Sequence, residues 1–117
     1  MKGAPDKLWA KCSTILIDGQ ILPFTEEYRK KVSEANAYFG KNGQRVLAFT
    51  MQKLNKQQFP KGHKFNVKGP YETGLGEDTY TFIGLISLID PPRDAVPGAI
   101  EKCKTAGIKV IMVTGDH

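Results

Sequence analysis

The stretch TYTFIGLISLIDPPR, residues 79–93, is an apolar run stopped by two prolines. Tyr80, Phe82, Ile83, Ile86 and their neighbours are aromatic, β-branched or otherwise apolar, which predicts a strand over 79–89. Neither Pro91 nor Pro92 can donate to a sheet ladder, and each biases its predecessor away from helix, so the run ends sharply at Asp90. Residues 90–93 then read as a stiff hinge between one unit and the start of another.

Beyond the hinge, Asp94 is an expected N-cap and Pro97 sits in the first turn. Ala95, Ile100, Cys103 and Ala106 carry a helix to Gly107. The closing residues 108–113, IKVIMV, form a nearly continuous apolar run, the pattern of a strand buried on both faces of a parallel sheet. Ligands of open α/β sheets sit beyond the carboxyl ends of such strands, where this chain has Thr114, Gly115 and Asp116.

Ahead of the hinge the pattern is mixed. Arg45–Met51, RVLAFTM, is a strand candidate, and STILIDGQILPF places strands near 14–17 and 20–22 around the hairpin signal Asp18-Gly19. Thr25 is an expected N-cap, Glu26 and Glu27 suit the positive end of a helix, and Tyr28, Val32, Ala35 and Phe39 recur at helical spacing until Gly40 or Gly43. Pro5 opens a short helix over Asp6–Cys12. From Asn55 to Asp78 the chain is polar and rich in Gly, Pro and Lys, a long surface excursion.

Seventeen basic against twelve acidic residues give a net charge of +5 and a pI near 9.3, which favours an anionic partner. Cys12 and Cys103 lie far apart without ligand spacing and read as free thiols, one disulfide remaining an alternative. No apolar stretch reaches the length of a membrane span and the start has no signal-peptide pattern, so the expectation is a chain working in water, in the cytosol.

Several signals read as plain structure. Gly74-Leu75-Gly76 lacks the third glycine of a dinucleotide loop and precedes a strand, so it reads as a turn, and no GxxxxGK[ST] occurs. His63 and His117 have no companion ligands, and no metal site is expected. FPKGHKFNVKGP interleaves Phe59 and Phe65 with Lys61, Lys64 and Lys68; stacked bases are one reading, a solvated loop tethered by two phenylalanines the preferred one. Arg29-Lys30-Lys31 reads as the wet face of its helix.

Three places offer more chemistry. Lys2 beside Gly3 sets a cation next to a residue that permits close backbone approach. Arg45 opens a strand after a Gly-containing turn, where a guanidinium can fork onto a phosphate. Thr114-Gly115-Asp116 offers a hydroxyl, a flexible amide and a carboxylate. By spacing alone each reads equally well as ordinary surface.

Taken in order, MKGAP (1–5), CSTIL (12–16), GQRVLAF (43–49), IGLISLIDPPRDAVPGAI (83–100) and KCKTAGIKVIMVTGDH (102–117) resemble the α subunit of the P-type cation-transporting ATPases, most closely the sodium/potassium and proton/potassium exchanging group. The resemblance covers the whole chain, and KGAP, DPPR and TGD are specific as an ordered set. It implies a mixed α/β fold. Residues 1–89 look like the later half of the antiparallel-sheet nucleotide-binding (N) domain, 90–93 like the hinge, and 94–117 like the start of the second part of the phosphorylation (P) domain, Rossmann-like and of haloacid dehalogenase type.

By the same resemblance, Lys2 and Gly3 match residues lining the adenine pocket and Arg45 matches an arginine that contacts the nucleotide phosphates. Asp90 and Arg93 match DPPR residues near the ribose and phosphates. Thr114, Gly115 and Asp116 match a phosphate-holding catalytic loop in which the Thr114 hydroxyl and a backbone N–H meet the transferring phosphoryl group, while the Asp116 side chain helps order the loop. The implied cofactors are ATP and magnesium, whose ligands lie mostly outside this sequence.

The implied partners are the remainder of the pump chain with its membrane helices, and a β subunit, with no nucleic acid. The resemblance places the segment on the cytoplasmic side of a plasma-membrane protein. The DKTGT motif with its nucleophilic aspartate and the GDGxND segment are missing, and Asp6 stands where the family often has Glu. The expectation is therefore an internal fragment, inactive alone, of a P-type ion-translocating ATPase. Its rivals are another P-type cation pump, and a basic nucleotide- or nucleic-acid-binding module without catalysis.

Overall fold

The computed structural model describes residues 1–69, 72–75 and 79–114. In chain order the elements are β1 (Lys2–Gly3), α1 (Pro5–Trp9), β2 (Cys12–Ile17), β3 (Gln20–Pro23), α2 (Glu26–Lys41), β4 (Arg45–Met51), β5 (Tyr80–Leu88) and α3 (Ala95–Thr105). The five strands form one sheet in the order β1-β4-β5-β2-β3. Every neighbouring pair is antiparallel except β2 and β5, which run parallel.

The hairpin of β2 and β3 turns at Asp18 and Gly19, with φ of 48° and 79°. Both central residues are left-handed, as a two-residue hairpin turn requires, and Asp-Gly is among the pairs that accept this most readily. Residues 45–51 form the strand that their alternation predicts.

The β4–β5 register decides what faces what. Phe49 pairs with Gly84 and Thr50 with Phe82, leaving Ile83 as an extra residue, a β-bulge. Because paired residues share a face, Thr50, Ala48, Val46, Phe82, Leu85 and Ser87 point one way. Arg45, Leu47, Phe49, Thr81, Gly84, Ile86 and Leu88 point the other.

The first face carries the core. Leu8, Cys12, Ile15, Phe24, Ala48, Tyr80 and Phe82 are buried together, with Tyr28, Val32 and Leu85 packed against them. Phe24 stacks on Phe82 at 5.3 Å between ring centroids. The helical stripe predicted for α2 is the one that faces inward, since Tyr28, Val32, Ala35 and Phe39 line an apolar groove with Ile15, Ile17, Phe82 and Leu85. Packing holds this helix more than capping does, because Thr25 has the extended backbone of a cap but makes no side-chain cap bond.

Four expectations change. Arg29 is not on a wet face. Its guanidinium donates to the Trp9 carbonyl at 3.0 Å and the Cys12 carbonyl at 2.7 Å, lies 4.5 Å from the centre of the Phe24 ring, and is 30% exposed. Helix α1 ends at Trp9, three residues short of the predicted Cys12, which instead opens β2. Asp94 is already helical, with φ −53° and ψ −31°, and its side chain makes no cap bond.

The fourth change is the closing strand. Residues 108–113 pair with no strand among the described residues, and Ile108, Val110, Ile111, Met112 and Val113 are exposed. An apolar run becomes a sheet strand only where a ladder partner satisfies its backbone, and none adjoins it here. Helix α3 likewise buries no residue. The radius of gyration is 20.0 Å, against about 13 Å for a compact domain of this length.

Candidate functional site

The edge strand β1 is two residues long and lies on β4, with Lys2 opposite Phe49 and Gly3 opposite Ala48. A further hydrogen bond from the Thr50 amide to the Met1 carbonyl, 2.9 Å, fixes the register. Lys2 therefore shares the face of Phe49, Leu47 and Arg45, away from α2. Arg45 lies four residues along β4 from Phe49, which at strand rise is about 14 Å. Two exposed cations thus stand at the ends of a strip floored by half-buried Phe49 and Leu47. Gly3, on the opposite face, adds no side chain to the edge.

The segment 90–93 follows β5 at the Arg45 end of this strip. Arg45 pairs with Leu88, so Asp90 follows two residues beyond Arg45's own partner, and Arg93 three residues later. Both are exposed. The sheet therefore brings Lys2, Gly3, Arg45 and the 90–93 segment to one β4-centred margin. Thr114 is exposed and follows α3 and the unpaired apolar run, so no sheet element carries it to that margin. Gly115 and Asp116 lie outside the described residues.

The strip depends on a support that the sequence reading missed. A five-residue helix such as α1 is far too short to hold itself in water. Its carboxyl end is held from α2 by Arg29, and the Cys12 thiol donates to the Leu8 carbonyl at 3.2 Å. Leu8 itself is fully buried. The available signal was spacing: Phe24 precedes the Thr25 cap and Arg29 is the fourth helical residue, the two positions that commonly pack across a helix start.

Burial pushes the Cys12 thiol up to about 11, a rise that Arg29 and the chain's amino terminus only partly oppose. Such a thiol is a packed apolar group and not a nucleophile at neutral pH. Cys12 and Cys103 are both free. Beside the α2 groove the exposed pair Lys31 and Glu27 meets at 2.6 Å, holding the carboxyl below and the ammonium above their ordinary ranges. That pair lies opposite the strip and has no part in it.

No group of three or more His, Cys, Asp and Glu able to hold a metal occurs among the described residues. No helix among them is long and apolar enough to cross a membrane. Chemically, the strip suits a ligand with a flat apolar part and an anionic part: rings and methylenes over Phe49 and Leu47, negative charge toward the guanidinium.

Comparison with known proteins supplies the family. Residues 1–95 match the family profile described as P-type ATPase, cytoplasmic domain N. Over all 117 residues the chain is 48% identical to the sodium/potassium-transporting ATPase subunit alpha of Tetronarce californica and to subunit alpha-3 of Homo sapiens, and 46% identical to subunit alpha-2 of Rattus norvegicus. In each case it spans 11% of the relative's length. A five-stranded mixed α/β sheet with α1 and α2 packed against it, matched by that profile along most of its length, leaves one assignment: the chain belongs to the P-type ATPases, in their cytoplasmic domain N.

Proposed function

We propose that this chain supplies the later half of the ATP site of a P-type sodium/potassium-exchanging pump. The observation that carries the reading is the register that sets Lys2 and Arg45 on one sheet face with Phe49 and Leu47 between them and the 90–93 hinge beside Arg45. The residues fit an adenine nucleotide. Lys2 and Gly3 border the base, Phe49 and Leu47 floor the site, and Arg45 neutralises phosphate charge through a forked, charge-assisted contact. Asp90 and Arg93 serve the ribose and phosphates at the hinge between the two domains.

Phosphoryl transfer in such enzymes is mostly positioning and charge neutralisation, and ATP with magnesium supplies the group transferred. In the parent protein the acceptor is an aspartate outside these residues. Residues 90–93 act as the hinge, and 94–117 begin the second part of the Rossmann-like phosphorylation domain, where Thr114, Gly115 and Asp116 hold the phosphoryl group. The parent couples hydrolysis of that acyl phosphate to cation exchange across the plasma membrane, with this segment on the cytoplasmic side and a β subunit as partner. The isolated chain is inactive because it contains no nucleophilic aspartate motif.

The test is an ATP titration of the isotope-labelled chain followed through backbone amides. Shifts clustered at Gly3, Arg45 and 88–93 are expected. A well-dispersed spectrum that does not respond to ATP, or responds only around α2, would overturn the reading.

A further inference from the structure

The charge of this chain is not spread over its surface. Residues 52–69, QKLNKQQFPKGHKFNVKG, contain Lys53, Lys56, Lys61, Lys64 and Lys68 and no acidic residue. Taking these five from the seventeen basic residues leaves twelve, which equals the twelve acidic residues of the chain. The segment 52–69 by itself thus matches the chain's excess of +5, and the acidic residues of the same β4–β5 connection, Glu72, Glu77 and Asp78, all follow it. All five lysines are exposed, and none joins an ion pair among the described residues.

The loop has an organised centre. Phe59 and Phe65 stack at 5.7 Å, and His63 meets both edge-on, at 5.1 and 4.9 Å. Backbone bonds from Phe59 to Asn55 and from His63 to Pro60 tighten the same turn. Leu54, Phe65 and Val67 remain 40, 43 and 62% exposed among the lysines. Like charges gathered on one segment repel one another, so an arrangement of this kind gains from a negatively charged surface.

We infer that the 52–69 loop is a docking surface for an acidic peptide segment that also carries apolar side chains. Three features choose this occupant over other polyanions. The rings pack on one another and so are not splayed to receive successive bases, which single-stranded nucleic acid would need. The cations are all lysine, point charges without the guanidinium fork that reads base edges and grips phosphates in pairs.

Against a lipid surface, the loop is irregular. Residues 52–68 belong to no helix or strand, so pushing Phe65 and Val67 into a bilayer would carry backbone polar groups outside any regular ladder into hydrocarbon, whereas an extended peptide could meet them by main-chain hydrogen bonds.

The test compares the full chain with a variant in which the five lysines become glutamine, and with Phe65→Ser/Val67→Ser. The probes are a short synthetic peptide alternating glutamate and phenylalanine, one alternating glutamate and glycine, vesicles of phosphatidylserine with phosphatidylcholine, and a single-stranded oligodeoxynucleotide. The expected result is that the phenylalanine peptide binds most tightly, weakens as salt screens the lysines, and loses at least about tenfold in the glutamine variant. The serine variant should lose its preference between the two peptides. Equal binding of the phenylalanine peptide to the original chain and the glutamine variant, or tighter binding of vesicles or oligonucleotide, would overturn the inference. Unchanged amide spectra outside the loop show that the variants keep the fold.

Discussion

Arg45 and Leu88 stand opposite each other across the β4–β5 ladder, which sets the first residue of one strand against the last residue of the other. A cation at this corner stands across from the residue two positions before Asp90. Arg45→Ala should weaken ATP binding by about tenfold to a hundredfold, the value of a charge-assisted phosphate contact of roughly 1.5 to 3 kcal/mol. Calorimetric titration checks it. Arg45→Lys should recover only part, because an ammonium cannot fork, and an unchanged affinity in Arg45→Ala would remove this residue from the site.

Arg29 ties helix α2 to the end of α1 and to the start of β2. Arg29→Ala leaves the Trp9 and Cys12 carbonyls without their side-chain donor and should cost about 2 kcal/mol. Urea unfolding should show a lower midpoint with an unchanged slope. If Arg29→Lys were as stable as the original chain, the forked contact would not be the cause.

Cys12 gives a pH signature. Its folded value near 11 lies above the ordinary 9.0, so the folded state keeps the proton after the unfolded state has lost it. Stability from this group is fully present below pH 9 and falls between about 9 and 11, by at most about 1.4 kcal/mol per pH unit. Comparing the alkaline slope with that of Cys12→Ala isolates the effect from the lysines. At neutral pH iodoacetamide should label Cys103, which is partly exposed, well before Cys12, which is 1% exposed.

The apolar run 108–113 tests what exposure means here. Ile111 and Val113 are 69 and 92% exposed, so replacing both by lysine should leave the unfolding free energy of the 117-residue chain within about 0.5 kcal/mol. A large loss would show that this run packs after all.

Much of the fold was legible because it is local. The alternation of 45–51, the Asp18-Gly19 turn and the stripe from Tyr28 to Phe39 each depend on residues near one another in sequence. What escaped was pairing over distance. A two-residue strand such as β1 has no periodicity to read, and nothing near Cys12 announces that β2 will run parallel to β5. The run 108–113 carries the composition of a buried strand, but composition does not supply a neighbour.

The site was legible in part for the same reason. Lys2 and Arg45 could be named singly from charge and glycine context, while their placement on one face follows from the Phe49–Lys2 register, which no single segment contains. Arg29 was hidden because helical spacing assigned it to solvent, and its partners are backbone carbonyls that leave no mark in a sequence.

The extra residue in β5 has an effect on how that strand's sequence encodes its two sides. Odd and even positions exchange meaning at Ile83: Tyr80 and Phe82 point to the helices before it, Leu85 and Ser87 after it. The strand thus carries two half-messages written out of phase, with Ile83 as the shift between them. Removing that one residue would leave every partner of β4 as it is, Leu88 still against Arg45, while straightening the strand; the Arg45-bearing and core-facing sides are therefore set by the ladder and not by the count of residues along the chain.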